Sequence, residues 1–187
     1  MDAAEFIVAD AAAWRAWLDA NESDPVAGVW LVLAKKGTTE PTSLRYDEAL
    51  DDALCSGWID GQKRSRDAAT FLQRFTPRRA RSIWSVRNTE HIARLTEEGR
   101  MRPRGVAEVE KAKADGRWER AYGGSADIEV PDELAAALAA DPVAAAAFEA
   151  LSRSARYSIL HPLVTAVKPE TRARRIAKAV AGLRGDV

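Results

Sequence analysis

Apolar positions early in the chain follow two periods. Trp14, Trp17 and Leu18 recur at helical spacing behind Asp10, a capping residue, and ahead of Asn21, so an amphipathic helix is predicted over AAAWRAWLDAN. Pro25 and Gly28 interrupt it. Val29–Ala34 (VWLVLA) is an unbroken apolar run, the pattern of a central strand covered on both faces. Tyr46–Ser56 returns to the helical period, with Leu50 and Leu54 on one face and Gly57 as a left-handed stop. Trp58–Arg64 and Ala69–Thr76 mix aromatic or β-branched residues with polar ones at alternate positions, which predicts a hairpin turning at Asp67. With the turn centred there, Trp58 faces Thr76, Ile59 faces Phe75 and Asp60 faces Arg74.

Beyond Pro77 the pattern is helical: Ser85–Glu98 closing at Gly99, then Pro103–Asp115 closing at Gly116. Tyr122–Val130 is polar and glycine-bearing, the composition of a linker. Three further helices each open on a proline: Pro131–Ala140, Pro142–Leu151 and Pro169–Leu183. In the last, Ala173, Ile176, Ala177, Val180 and Leu183 form one stripe that needs an apolar partner. The expected fold is α+β: a small antiparallel sheet packed with helices over residues 1–121, a linker over 122–130, and a helical module over 131–187.

With 187 residues and 47% apolar content the chain can bury a core without staples. Its single cysteine, Cys55, rules out an intramolecular disulfide and fits a reducing compartment. The N-terminus lacks a basic region followed by an apolar stretch, and no run reaches the roughly 20 apolar residues of a membrane span. A cytoplasmic protein without membrane insertion is expected.

The neutral total of 28 basic and 28 acidic residues hides a segregation. Residues 1–60 carry twelve acids and four bases, whereas residues 61–87 carry eight bases and one acid, Asp67. A local excess of seven positive charges points to an anionic partner. Around it we place a candidate ligand site of Lys35, Lys36, Trp58, Asp60, Arg74, Arg78, Arg79, Trp84 and Asn88. Arginines offer forked donors to carboxylate or phosphate, and tryptophan faces stack on planar groups. The partner suggested is an anionic small molecule or a protein. The competing structural reading makes the tryptophans core, pairs Asp60 with Arg74 and leaves the other arginines solvated. KRSR (63–66) and PRRAR (77–81), with Phe71, Phe75 and Trp84 as stacking platforms, would alternatively suit single-stranded nucleic acid, against which stands a pI near 6.8.

An enzyme using the same pocket, with Asp60 as base, is a further alternative. An acid among arginines is ionised but poorly basic. Cys55 sits on the apolar side of its helix and reads as an inert thiol. His91 and His161 have no second histidine or cysteine at ligand spacing, and no phosphate-binding loop or nucleophile elbow occurs, so neither metal nor cofactor is expected.

Five ordered motifs carry a resemblance: Val29–Lys36 (VWLVLAKK), Leu44–Ala49 (LRYDEA), Ala53–Asp60 (ALCSGWID), Arg74–Asn88 (RFTPRRARSIWSVRN) and Val167–Ile176 (VKPETRARRI). The chain resembles the YdeI/OmpD-associated, or bacteriocin-protection, family across nearly its whole length. Ser56 stands where a phenylalanine is usual, and Val167 where an alanine is. The resemblance implies a role in tolerance to cationic antimicrobial peptides, bacteriocins or related stress, and no catalytic mechanism.

Overall fold

The computed structural model describes residues 4–22 and 28–185; the interruption expected at Pro25 lies outside them. The chain divides into two compact units. One holds the chain up to Ser82 together with Asn88–Glu119, and the other holds Ile83–Arg87 and the chain from Arg120 on.

The first unit is built on a four-stranded sheet. Its strands are β1 (Glu5–Phe6), β2 (Val29–Ala34), β3 (Trp58–Ser65) and β4 (Thr70–Pro77), in the order β1-β2-β4-β3. β2, β4 and β3 are antiparallel as expected, but β1 runs parallel to β2, so the sheet is mixed. Two residues carry no readable period, and β1 exists only because β2 offers it an edge.

The helices of this unit are α1 (Ala11–Ala20), α2 (Tyr46–Cys55), α3 (Val86–Glu97, entering from the second unit) and α4 (Pro103–Ala114). α1 starts where Asp10 accepts a hydrogen bond from the Ala13 amide at 2.9 Å. α2 starts where Glu48 accepts one from the Arg45 amide, and it stops at Gly57, whose φ of 73° suits a residue without Cβ. β2 is buried on both faces: Leu31, Val32 and Leu33 are all inaccessible to solvent.

The hairpin register differs from expectation by one residue at the Trp58 end and by two toward the turn. Asp60 faces Phe75, Ile59 faces Thr76 and Trp58 faces Pro77, and beyond them Lys63 faces Gln73. Gly61 and Gln62 therefore oppose the single residue Arg74, a bulge held by Nε2 of the Gln73 side chain donating to the Gly61 carbonyl at 2.8 Å. A pattern of alternation cannot reveal an inserted residue. The turn forms at Asp67, whose carboxylate accepts from the amides of Ala69 and Thr70 and from the Thr70 hydroxyl.

One sheet face receives α1. Trp14 lies 5.7 Å from Phe75, stacks on Trp17 at 5.2 Å and meets Trp58 edge-on at 6.4 Å, while its indole N–H donates to the Ala49 carbonyl on α2. Each such ring pair adds about 0.5–1.5 kcal/mol beyond area burial.

The second unit contains α5 (Asp132–Ala139), α6 (Pro142–Ala150), α7 (Arg153–Val164) and α8 (Pro169–Arg184). Leu134, Leu138, Ala144, Phe148, Leu160, Leu163 and Ile176 form its core, with Val180 and Leu183 packed against it. α8 therefore docks through the stripe read from its sequence. α7 is absent from the sequence reading, because Pro162 interrupts its pattern; it opens at Ser152, whose hydroxyl caps the Ala155 amide. Residues 83–87 join this unit through a bridge from Ser85 to Tyr122.

Candidate functional site

The nine residues singled out in the sequence fall into several places. Lys35 and Lys36 are exposed at the hairpin-turn end of β2, where Lys35 donates to the Asp67 carbonyl at 2.6 Å. Trp58 and Pro77 pair at the far end of the hairpin. Seven residues of β4 separate the two ends, about 23 Å, so the lysines and the Trp58 end do not share one pocket. Trp58 is inaccessible and belongs to the aromatic cluster around Trp14.

Asp60 is half-buried and accepts a hydrogen bond from the Tyr46 hydroxyl at 2.7 Å. The bulged register turns Asp60 to the face of Phe75 and Arg74 to the other, so the hairpin does not oppose the two as neighbours. Arg78 and Asn88 are buried and Arg79 is exposed in the turn closed by Ser82. Trp84 is buried in the second unit, where its carbonyl accepts from the Tyr122 amide. Phe71, Phe75 and Trp84 retain at most 9% of their surface, so none is a platform for an unpaired base.

What the fold does bring together is an arginine-bearing sheet face. Trp30 on β2 faces Arg74 on β4, and the Arg64 guanidinium from β3 lies over the Trp30 ring at 4.0 Å, with that of Arg74 at 5.9 Å. Arg66, in the turn, bonds Glu5 on β1 at 2.8 Å. Trp30 was not among the residues chosen from sequence. Its signal was there in VWLVLA, but only the strand order places it beneath two arginines. A guanidinium lying over an indole is held by the ring face, and its forked donors are of the kind that suits carboxylate or phosphate.

A second polar constellation lies on α2. The Asp52 carboxylate, 2% exposed, accepts from Arg15 Nε at 3.2 Å and Arg100 Nη2 at 3.1 Å. Neighbouring Asp51 accepts from Arg94 at 2.7 Å and lies 2.8 Å from His91 Nδ1. Burial alone would raise the Asp51 carboxyl, but hydrogen bonds from Arg94 and His91 outweigh it and hold the group below the ordinary carboxylate range. These pairs tie α1, α3 and the α3–α4 loop to α2. They join protein to protein and form a structural hub. Cys55, one turn on, is buried, and desolvation pushes its thiol up to about 11, so near neutrality it is protonated and a poor nucleophile. Among the described residues no group of three histidine, cysteine or carboxylate side chains could hold a metal ion, and no helix is long and apolar enough to cross a membrane.

In the second unit the charge is again one-sided. Residues 153–184 carry eight bases and a single acid, Glu170. Summing charge over all of residues 88–187 conceals this; a window the size of one helical hairpin exposes it. His161 lies against Tyr122 at 4.6 Å and Tyr157 at 5.4 Å, and burial lowers its pKa. Such a ring, neutral near pH 7, packs between the tyrosines as an aromatic.

Comparison with known proteins returned two family matches. Residues 6–108 match the family described as a domain of unknown function, DUF8412, and residues 127–185 match the family described as bacteriocin-protection, YdeI or OmpD-associated. Four of the five motifs read in the sequence fall in the first match and the fifth in the second. No curated protein and no solved structure matches the chain. The chain thus belongs, over more than half its length, to the DUF8412 family, and it carries a C-terminal segment of the bacteriocin-protection, YdeI or OmpD-associated family.

Proposed function

We propose that the protein binds an anionic ligand on the arginine-bearing face of its sheet, without catalysing a reaction on it, and that this binding serves stress or antimicrobial tolerance in the cytoplasm. The observation that carries the reading is the stacking of Arg64 over Trp30 with Arg74 beside it. Guanidiniums gathered over one ring are charge-assisted donors of the kind an oxyanion accepts in bidentate fashion. The eight basic residues between 61 and 87 add a field that concentrates anions there. The same field disfavours direct capture of a cationic peptide at this face, so a protective role would act through the anionic ligand.

The test is titration of the full-length protein with inorganic phosphate, pyrophosphate and citrate, followed by Trp fluorescence and calorimetry. Arg64→Ala should weaken binding about tenfold, the loss of one charge-assisted contact worth about 1.4 kcal/mol, with the melting temperature unchanged. Arg74→Ala should weaken it as well. Absence of binding to all three anions, or binding indifferent to Arg64→Ala, would overturn the reading. Retention of a single-stranded oligonucleotide, with log affinity falling by about 0.7 per phosphate contact against log salt, would replace it with the nucleic-acid reading.

A further inference from the structure

The helical module has open grooves on both flanks of α8. The one between α5 and α8, about 740 Å³, is closed at its ends by internal ion pairs, Arg172 with Glu133 and Arg184 with Asp141, and shows no preference for either sign of charge. The one between α7 and α8, about 640 Å³, is different. Its floor is apolar, formed by Leu151, Ile159, Leu163 and Leu183, and Arg175 and Lys178 stand at its rim. α7 contains no acidic residue and α8 only Glu170, in its first turn.

We infer that this α7–α8 groove docks an acidic amphipathic helix of a partner protein. Three features select that occupant. The trough is lined from Ala155 to Leu163 on α7 and from Arg175 to Leu183 on α8, nine-residue spans of about 13 Å, which accommodate about two and a half turns of a third helix. An apolar floor below a cationic rim complements a helix with one apolar stripe and carboxylates on its flanks. Arg175 and Lys178, with no acidic residue among the groove-lining side chains, provide attraction for carboxylates along the rim. A concave surface of this kind suits a rod better than the plane of a lipid bilayer. Gly182, which lines the groove, has open space where a Cβ would stand, so the partner can approach the α8 backbone closely.

The inference is independent of the sheet-face reading, and its test uses the full-length protein. The probe is a fluorescein-labelled synthetic peptide of sixteen residues, with leucines at i, i+3, i+4 and i+7 and glutamates on the opposite face, followed by fluorescence anisotropy at low and high salt. It should bind, more weakly at high salt, while the same peptide with lysines for glutamates should not. Lys178→Glu, at an exposed rim position, and Gly182→Trp, which fills the trough, should each weaken binding at least tenfold with circular dichroism unchanged. Arg64→Ala should leave it intact. No binding of the acidic peptide, equal binding of the lysine peptide, indifference to both variants, or capture of phosphatidylglycerol vesicles in its place would each overturn the proposal.

Discussion

Gly105 and Gly182 invite the same substitution with opposite results. Gly105 is in the first turn of α4, where an added Cβ would stand 2.1 Å from the Cys55 carbonyl oxygen, 2.8 Å from its carbon and 3.1 Å from the Leu54 oxygen. These are backbone atoms at the end of α2 and cannot swing aside. Recovering an ordinary contact near 3.4 Å requires α4 to retreat from α2 by about 1.3 Å, and the Arg102 amide would lose its 3.1 Å bond to that same Cys55 carbonyl. Overpacking of this kind costs about 1–3 kcal/mol and the hydrogen bond about 1 kcal/mol. The helix preference of alanine over glycine returns less than about 1 kcal/mol. Gly105→Ala should therefore destabilise by about 1–3 kcal/mol and lower the melting temperature by about 3–9 °C. At Gly182 nothing stands within 4 Å of the added atom, so Gly182→Ala should stabilise, by up to about 1 kcal/mol. Calorimetric and urea melts of the two variants beside the parent decide the matter. A Gly105→Ala protein melting within a degree or two of the parent would refute the claim that α4 closes on the α2 terminus through a position with no room for a side chain.

Asp52→Asn should destabilise by about 2 kcal/mol, because Arg15 and Arg100 lose a buried anionic acceptor but are themselves exposed enough to turn to water; an unchanged urea midpoint would show that the hub contributes nothing. Asp51 has a folded pKa below its unfolded value, so its contribution is present above about pH 4, the ordinary carboxylate range, and is lost as pH falls through the depressed value. Asp51→Asn should flatten that acid limb of the stability curve, and a limb of unchanged slope would contradict the assignment. Cys55, with its thiol pushed up to about 11, should react with a disulfide reagent at pH 8 far more slowly in the native than in the denatured protein, whereas native reactivity matching free cysteine would place the thiol at the surface.

What the sequence determines by itself is local. α1, α2, α4, α8 and β2 were readable because each carries its own period, cap or stop within a dozen residues: Asp10 before α1, Gly57 after α2, and the Ala173-to-Leu183 stripe along α8. The cationic excess at 61–87 is likewise a property of composition, and so is that at 153–184 once the window matches a helical hairpin. Features made between distant segments were decided only by tertiary structure. β1 is two residues long and owes its existence to pairing with β2, and α7 is held by the core around Leu160 and Leu163 despite Pro162. The bulge opposite Arg74 shifted the hairpin by one residue, and because strand side chains alternate with period two, that shift sends Asp60 and Arg74 to opposite faces. The same dependence governs function. Whether a tryptophan is core or site turns on what packs over it: Trp58 closes against Trp14 and Trp17, while Trp30 lies under two guanidiniums contributed by strands more than thirty residues away. Pattern along a chain reports which residues seek burial or water, and the pairing of distant strands and helices decides which of them meet.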